Sequence, residues 1–166
     1  AVEFGRKLNK YDRLYLYGLH GFAIEVVFCA LWFLIANKNI KLHGYSSVWS
    51  FLIYGMGLLL MERIRIYLHK RKINIFYRGV IYLIWTYSWE LLWGVVLLYF
   101  NCHSWDYSGY SNYHLWGLIN FEYAPLWFVS SIVADVYLIK FVSHLRWSCS
   151  SQESSLRPRH CCCKQD

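Results

Sequence analysis

Between residues 79 and 139 the chain has no lysine and no arginine, and residues 14–37 and 42–61 also lack both. A water-soluble domain carries charge at about one residue in four, whereas a helix crossing a bilayer needs about 20 mainly apolar residues in a row. These windows supply that length repeatedly, so the sequence reads as a chain threaded through lipid. Only 16% of its 166 residues are charged, against 57% hydrophobic and 20% aromatic. The net charge of +7 does not point to nucleic acid, because the bases sit at the edges of apolar segments and not on one soluble face.

Four spans fit the pattern, at about 14–36, 47–66, 79–100 and 117–140. Hydrocarbon offers no partner for an open backbone, so the segments must be helices and the fold class all-α. The first is too long for a removable signal peptide and lacks a small-residue cleavage site. Fifteen of the 17 Lys and Arg fall on one side of such a chain, against Lys38 and Lys41 on the other. Since bases resist translocation, both termini are expected in the cytosol. Residues 1–147 then form a polytopic membrane domain, and residues 148–166, rich in Ser, Arg and Cys, read as a disordered cytosolic tail.

Aligning Glu25 with Glu90 sets Gly21 and Cys29 opposite Thr86 and Gly94, so each acid is flanked by small residues one turn away. The chain therefore reads as two tandem helical hairpins, a parallel repeat of the kind found in some transporters. Each acid falls near mid-span, where insertion costs about 2.5–3.5 kcal/mol, so both should face the bundle. His20 is a candidate partner for Glu25. Two readings stay open: carboxyls bonding across helices as polar glue, or a site for an ion, a proton or a substrate. Glu122 should lie at the outer mouth and Asp135 about a turn inside the cytosolic end, where water could reach either. Pro125 between them is expected to bend the helix. Glu62, beside Arg63, reads as half of a surface pair. Gly18, Gly21, Gly55 and Gly57 suit close helix packing.

The outer loop, residues 101–116, carries Trp105, Asp106, Tyr107, Tyr110, Tyr113 and Trp116 and no Lys or Arg. It suits an interfacial aromatic belt or, alternatively, an aromatic lid over a cavity mouth. No HExxH, Walker-type or nucleophile arrangement occurs, so neither an enzyme, a metal site nor a cofactor is expected. Cys29 and Cys102 lack an obvious disulfide partner. Cys149 and Cys161, Cys162 and Cys163 belong to the tail, and the triplet, beside Arg157, Arg159, His160 and Lys164, suits reversible S-palmitoylation; an unmodified tail or adventitious metal capture are the alternatives.

Five strings in this order, HGFAIE (residues 20–25), SSVWSFLIYG (46–55), IWTYSWELLWG (84–94), SWDYS (104–108) and WGLINFEYAPLWF (116–128), resemble the transmembrane protein 229 family. Bacterial relatives of that family carry the label of ABC-transporter type IV permeases. The resemblance runs over about residues 11–147 and implies a multi-pass integral membrane protein, without implying ATP-driven transport or a role for any acid. The functional expectation is a transporter-like or channel-like polar centre at Glu25 and Glu90, in a lone chain, a homo-oligomer or beside a partner membrane protein. The alternative is a non-transporting adaptor with an acylated tail.

Overall fold

The computed structural model describes residues 5–147 apart from Asn39 and Tyr110. The fold is mostly helical. Strand β1 (Arg6–Lys7) leads into α1 (Lys10–Asn37), followed by α2 (Val48–Lys70) and α3 (Ile75–Tyr99). A small hairpin of β2 (His114–Leu115) and β3 (Ile119–Asn120) then enters a fourth rod over Phe121–His144, and β4 (Arg146–Trp147) ends the described chain. The rod is composite: a 3-10 turn, α4 (Ala124–Val133), a π-helical stretch over Ala134–Ile139, and α5 (Lys140–His144).

Each long helix starts where a short polar side chain can take an orphan N–H. Asn9 accepts from Tyr11 and Asp12 while Asp12 bonds back to the Asn9 N–H, a complete capping box. Ser47 and Asn74 cap α2 and α3 through the amides of Trp49 and Phe76. At its other end α1 closes on Lys38 in the left-handed conformation, φ 51°.

α2 runs antiparallel along α1, with Gly18 against Phe51 and Gly55 and, at the other end of the contact, Arg13 against Glu62. A methyl group on Gly18 would stand 2.7 Å from the Phe51 carbonyl oxygen, so the glycine sets how closely the rods approach. The fourth rod likewise runs back along α3, with Leu118 near Gly94, Ser131 near Thr86 and Asp135 near Arg78. α3 is fastened to α2 by indole N–H groups, Trp89 donating to the Ile53 carbonyl at 2.9 Å and Trp85 to that of Gly57 at 3.4 Å. The tightest packing lies toward the base-rich end, around Tyr17, Met61, Leu68, Tyr82, Ile139 and Val142.

Three helices are long and apolar enough to cross a membrane: Lys10–Asn37, Ile75–Tyr99 and Phe121–His144. Their outward faces expose Ile24, Ile35, Ile84, Leu92 and Val129, an apolar surface compatible with lipid tails. α2 has the length, but Glu62, Arg63, Arg65 and Lys70 crowd its last third. β1 and β4 pair antiparallel, Arg6 opposite Trp147, so the two ends of the described chain lie together.

Two details differ from the sequence reading. The fourth helix does not begin at residue 117, because Trp116 and Gly117 both take positive φ (54° and 71°) and turn the chain into the β2–β3 hairpin. Pro125 does not bend the rod: it occupies the first turn of α4, where a missing N–H costs nothing. The irregular stretch lies a few turns later, at the π-helical residues around Asp135.

Candidate functional site

Four acids on or between the helices form two layers. The layer at the base-rich end is saturated with bases. Glu62 on α2 is 5% exposed and takes Arg13 Nη1 at 2.5 Å and the Tyr17 hydroxyl at 3.0 Å, both from α1. Asp135 on the fourth rod is 1% exposed and takes Arg78 and the Tyr82 hydroxyl (3.2 Å) from α3, plus Arg65 Nε from α2 at 2.5 Å. His69 Nε2 stands 3.5 Å from the same carboxylate. The two acids therefore share one construction, an arginine and a tyrosine one turn apart on the preceding helix, and Arg65 ties the first hairpin to the second.

The sequence reading placed these acids wrongly. Glu62 is not half of a surface pair with Arg63, and Asp135 is not wetted; both are buried anchors of interhelical ion pairs. A signal was present: Arg13, Tyr17 and Glu25 recur as Arg78, Tyr82 and Glu90 at a constant offset of 65 residues. Aligning the mid-span acids alone hides the arginine–tyrosine half of that repeat.

The second layer lies twelve residues further along α1 and α3, about 18 Å at 1.5 Å per residue. Here the acids have hydroxyl partners in place of bases. Ser46, Ser50 and the Tyr54 hydroxyl hydrogen-bond to Glu25. Tyr54 packs over Gly21, where a side chain would collide with it, and stands within electrostatic reach of both Glu25 and Glu90. From the outer loop the Tyr107 hydroxyl donates to Glu90 Oε1 at 3.1 Å. Glu90 Oε2 is buried with no hydrogen-bond partner among the described residues, as is the Trp93 indole N–H one turn away. Each mid-span acid is thus held by a tyrosine, Glu25 by Tyr54 and Glu90 by Tyr107, and one carboxylate oxygen has capacity left over.

The outer loop is shaped to deliver Tyr107. Asp106 Oδ1 accepts the Ser108 N–H at 2.8 Å, the Tyr107 N–H bonds to the Gly117 carbonyl at 2.9 Å, and the Trp105 indole donates to the Leu118 carbonyl at 3.1 Å. The Ser108 amide and hydroxyl hold the Asp106 carboxyl below the ordinary aspartate range, while burial and then the neighbouring Glu90 push the Tyr107 phenol upward. Trp105, Asp106 and Tyr107 therefore act together: one anchors, one shapes the turn, one reaches the acid.

The remaining expected residues fall outside this second layer. His20 spends Nδ1 on the Leu16 carbonyl of its own helix at 2.7 Å, with no bond to Glu25. Glu122 is exposed in the 3-10 turn, its amide accepted by Asn120. Among the described residues no group of three or more His, Cys, Asp and Glu is arranged to hold a metal. Cys149, Cys161, Cys162 and Cys163 lie outside the described residues. No protein-family model matches the chain, and no solved structure matches it.

Proposed function

We propose that the chain is a four-span, non-enzymatic membrane protein that binds a proton or small cation at Glu25 and Glu90 and passes it across the bilayer, with both termini in the cytosol. The fourth crossing is assigned to α2, which lies along α1. In its polar third Glu62 and Arg65 are spent inside the bundle, and the exposed Arg63 and Lys70 are assigned to the cytosolic headgroup layer, which their long side chains can reach. The β1–β4 pairing supports an even number of crossings, since three would part the chain ends. Charge counting then directs the base-rich end to the cytosol.

One observation carries the transport reading: Glu25 bonds Tyr54 and Glu90 bonds Tyr107, with no base among their hydrogen-bond partners in the described residues, while the other two acids of the bundle each hold an arginine. An acid retained for packing alone would be expected to share that neutralisation. The strings that resemble the transmembrane protein 229 family also furnish this cluster, supplying Glu25, then Ser46, Ser50 and Tyr54, then Glu90, then Tyr107. We extend that resemblance to a shared membrane fold and not to ATP-driven transport. The adaptor alternative, with acyl chains on Cys161 to Cys163, draws on residues outside those described.

The test is flux in vesicles holding the purified chain, with an internal pH dye and separate sodium and potassium gradients. The double substitution Glu25→Gln, Glu90→Gln keeps hydrogen bonding and removes ionisation, and should lower the flux at least tenfold. Equal flux in the variant and the parent would remove the acid pair from the mechanism.

A further inference from the structure

Where the two ends of the described chain meet, a groove of about 460 Å³ opens between the start of α1 and strand β4. Leu8, Leu16 and Leu145 contribute its aliphatic lining, and Tyr11, Tyr15 and Trp147, all more than half exposed, its aromatic walls. Its size is in the range that takes a small ligand or part of a larger one. The groove sits at the edge of the first span, at the depth where lipid headgroups meet the chains.

Charge adds a second, independent observation. In the β1–β4 ladder Lys7 stands directly opposite Arg146, a like-charged cross-strand pair of the kind that destabilises a ladder unless a counter-charge intervenes. Neither base has an acidic partner among the described residues. Arg6 and Lys10 lie close by in sequence, and Asp12 is the one acid lining the groove. Its carboxylate is already engaged by the Asn9 amide (2.9 Å), the Trp147 indole (3.2 Å) and, more distantly, Arg6 (3.8 Å). Trp147 is thereby held in place, while Arg146 and Lys7 lack a counter-charge among the described residues.

We infer that this groove is a binding site for an anionic phospholipid of the cytosolic leaflet, its acyl chain against Leu8, Tyr15, Leu16 and Leu145 and its phosphate at Arg146 and Lys7. Apolar lining below and unmatched bases above match the two halves of such a molecule, and basic pockets at the cytosolic edge of membrane helices suit acidic headgroups. The site is separate from the acid pair, so it rests on the proposed cytosolic placement of this end of the bundle and not on the transport reading.

The experiment is native mass spectrometry of the full chain in detergent, titrated with phosphatidylserine, phosphatidylcholine or inorganic phosphate. Phosphatidylserine should bind at least fivefold more tightly than phosphatidylcholine. Lys7→Gln, Arg146→Gln should abolish that preference while leaving weak binding of both lipids, and Tyr15→Ala should weaken both alike. Without lipid the thermal midpoint of Lys7→Gln, Arg146→Gln should be no lower than the parent's, because a like-charged pair is removed, and Tyr15→Ala should lose only its edge contact with Phe51. Equal binding of the two lipids, or a preference that survives the double substitution, overturns the assignment. Displacement of the lipid by millimolar phosphate overturns it too, since the groove would then be a plain anion site.

Discussion

Glu62 and Asp135 lie at one level of the bundle and Glu25 and Glu90 at another, and the same kind of side chain has opposite circumstances at the two levels. At the first, each acid meets an arginine and a tyrosine from the helix before it. At the second, the partners are serines and tyrosines. Burying a charge is tolerable when an opposite charge comes with it, and removing one member of such a pair strands the other. The first level therefore holds helices together, whereas the second keeps acid capacity that no fixed base has consumed.

The largest expected effect follows from Asp135, because it neutralises two guanidinium groups at once. Asp135→Asn leaves Arg65 and Arg78 facing a neutral amide and should cost about 3–5 kcal/mol, read from unfolding in detergent. A loss below about 1 kcal/mol would erase the distinction between the levels. Next comes Glu62, whose arginine partner is more open to its surroundings, with 27% of the Arg13 side chain exposed. Glu62→Gln should cost about 1–3 kcal/mol, and adding Arg13→Met should recover part of that loss, because the stranded charge is removed with its partner. If the double variant is weaker than the single one by the full cost of Arg13→Met alone, the two side chains are not coupled.

The same comparison shows what could be read from sequence. Charge-free windows revealed the helical class and, to within several residues, α1, α2 and α3, because lipid imposes length and composition directly. The β2–β3 hairpin straddled the start of the fourth window: Leu118 and Ile119 read as part of a span, and the turn depends on the positive φ of Trp116 and Gly117. Glu25 and Glu90 stood out because an isolated acid in an apolar run has no local excuse. Glu62 looked satisfied by adjacent Arg63, although neighbours in a helix point in different directions and the true partner is 49 residues away. Tyr54 carried no signal at all, since one tyrosine among 15 is unremarked until the helix that bears it is laid against Gly21.

A smaller effect on stability is expected at the second level, and its smallness is the point. Glu25→Gln or Glu90→Gln keeps an acceptor for Tyr54 or Tyr107, and side-chain hydrogen bonds inside membranes average about 0.6 kcal/mol. Each variant should therefore unfold within about 1 kcal/mol of the parent while flux falls. A Gln variant as damaged as Asp135→Asn would mean that the second level is a scaffold like the first, and the proposed transport site would lose its rationale.

The smallest effect concerns the loop that brings Tyr107 to Glu90. Bonds from the Ser108 amide and hydroxyl lower the Asp106 pKa in the folded chain below its unfolded value, about 3.9. Between those two values the unfolded loop binds more protons than the folded one. The stabilisation is thus complete above pH of about 4 and fades as pH falls through the folded value. Because Asp106 is exposed, the change belongs to the turn and not to the bundle. Asp106→Asn removes the titration while keeping an oxygen for the Ser108 amide. The parent should show a loosening of the loop on acidification, read from nuclear magnetic resonance signals of Tyr107 and Ser108, that the variant lacks. Identical pH profiles would detach Asp106 from the positioning of Tyr107, leaving the Gly117 carbonyl and the Trp105 indole as the contacts that hold the loop against the second level.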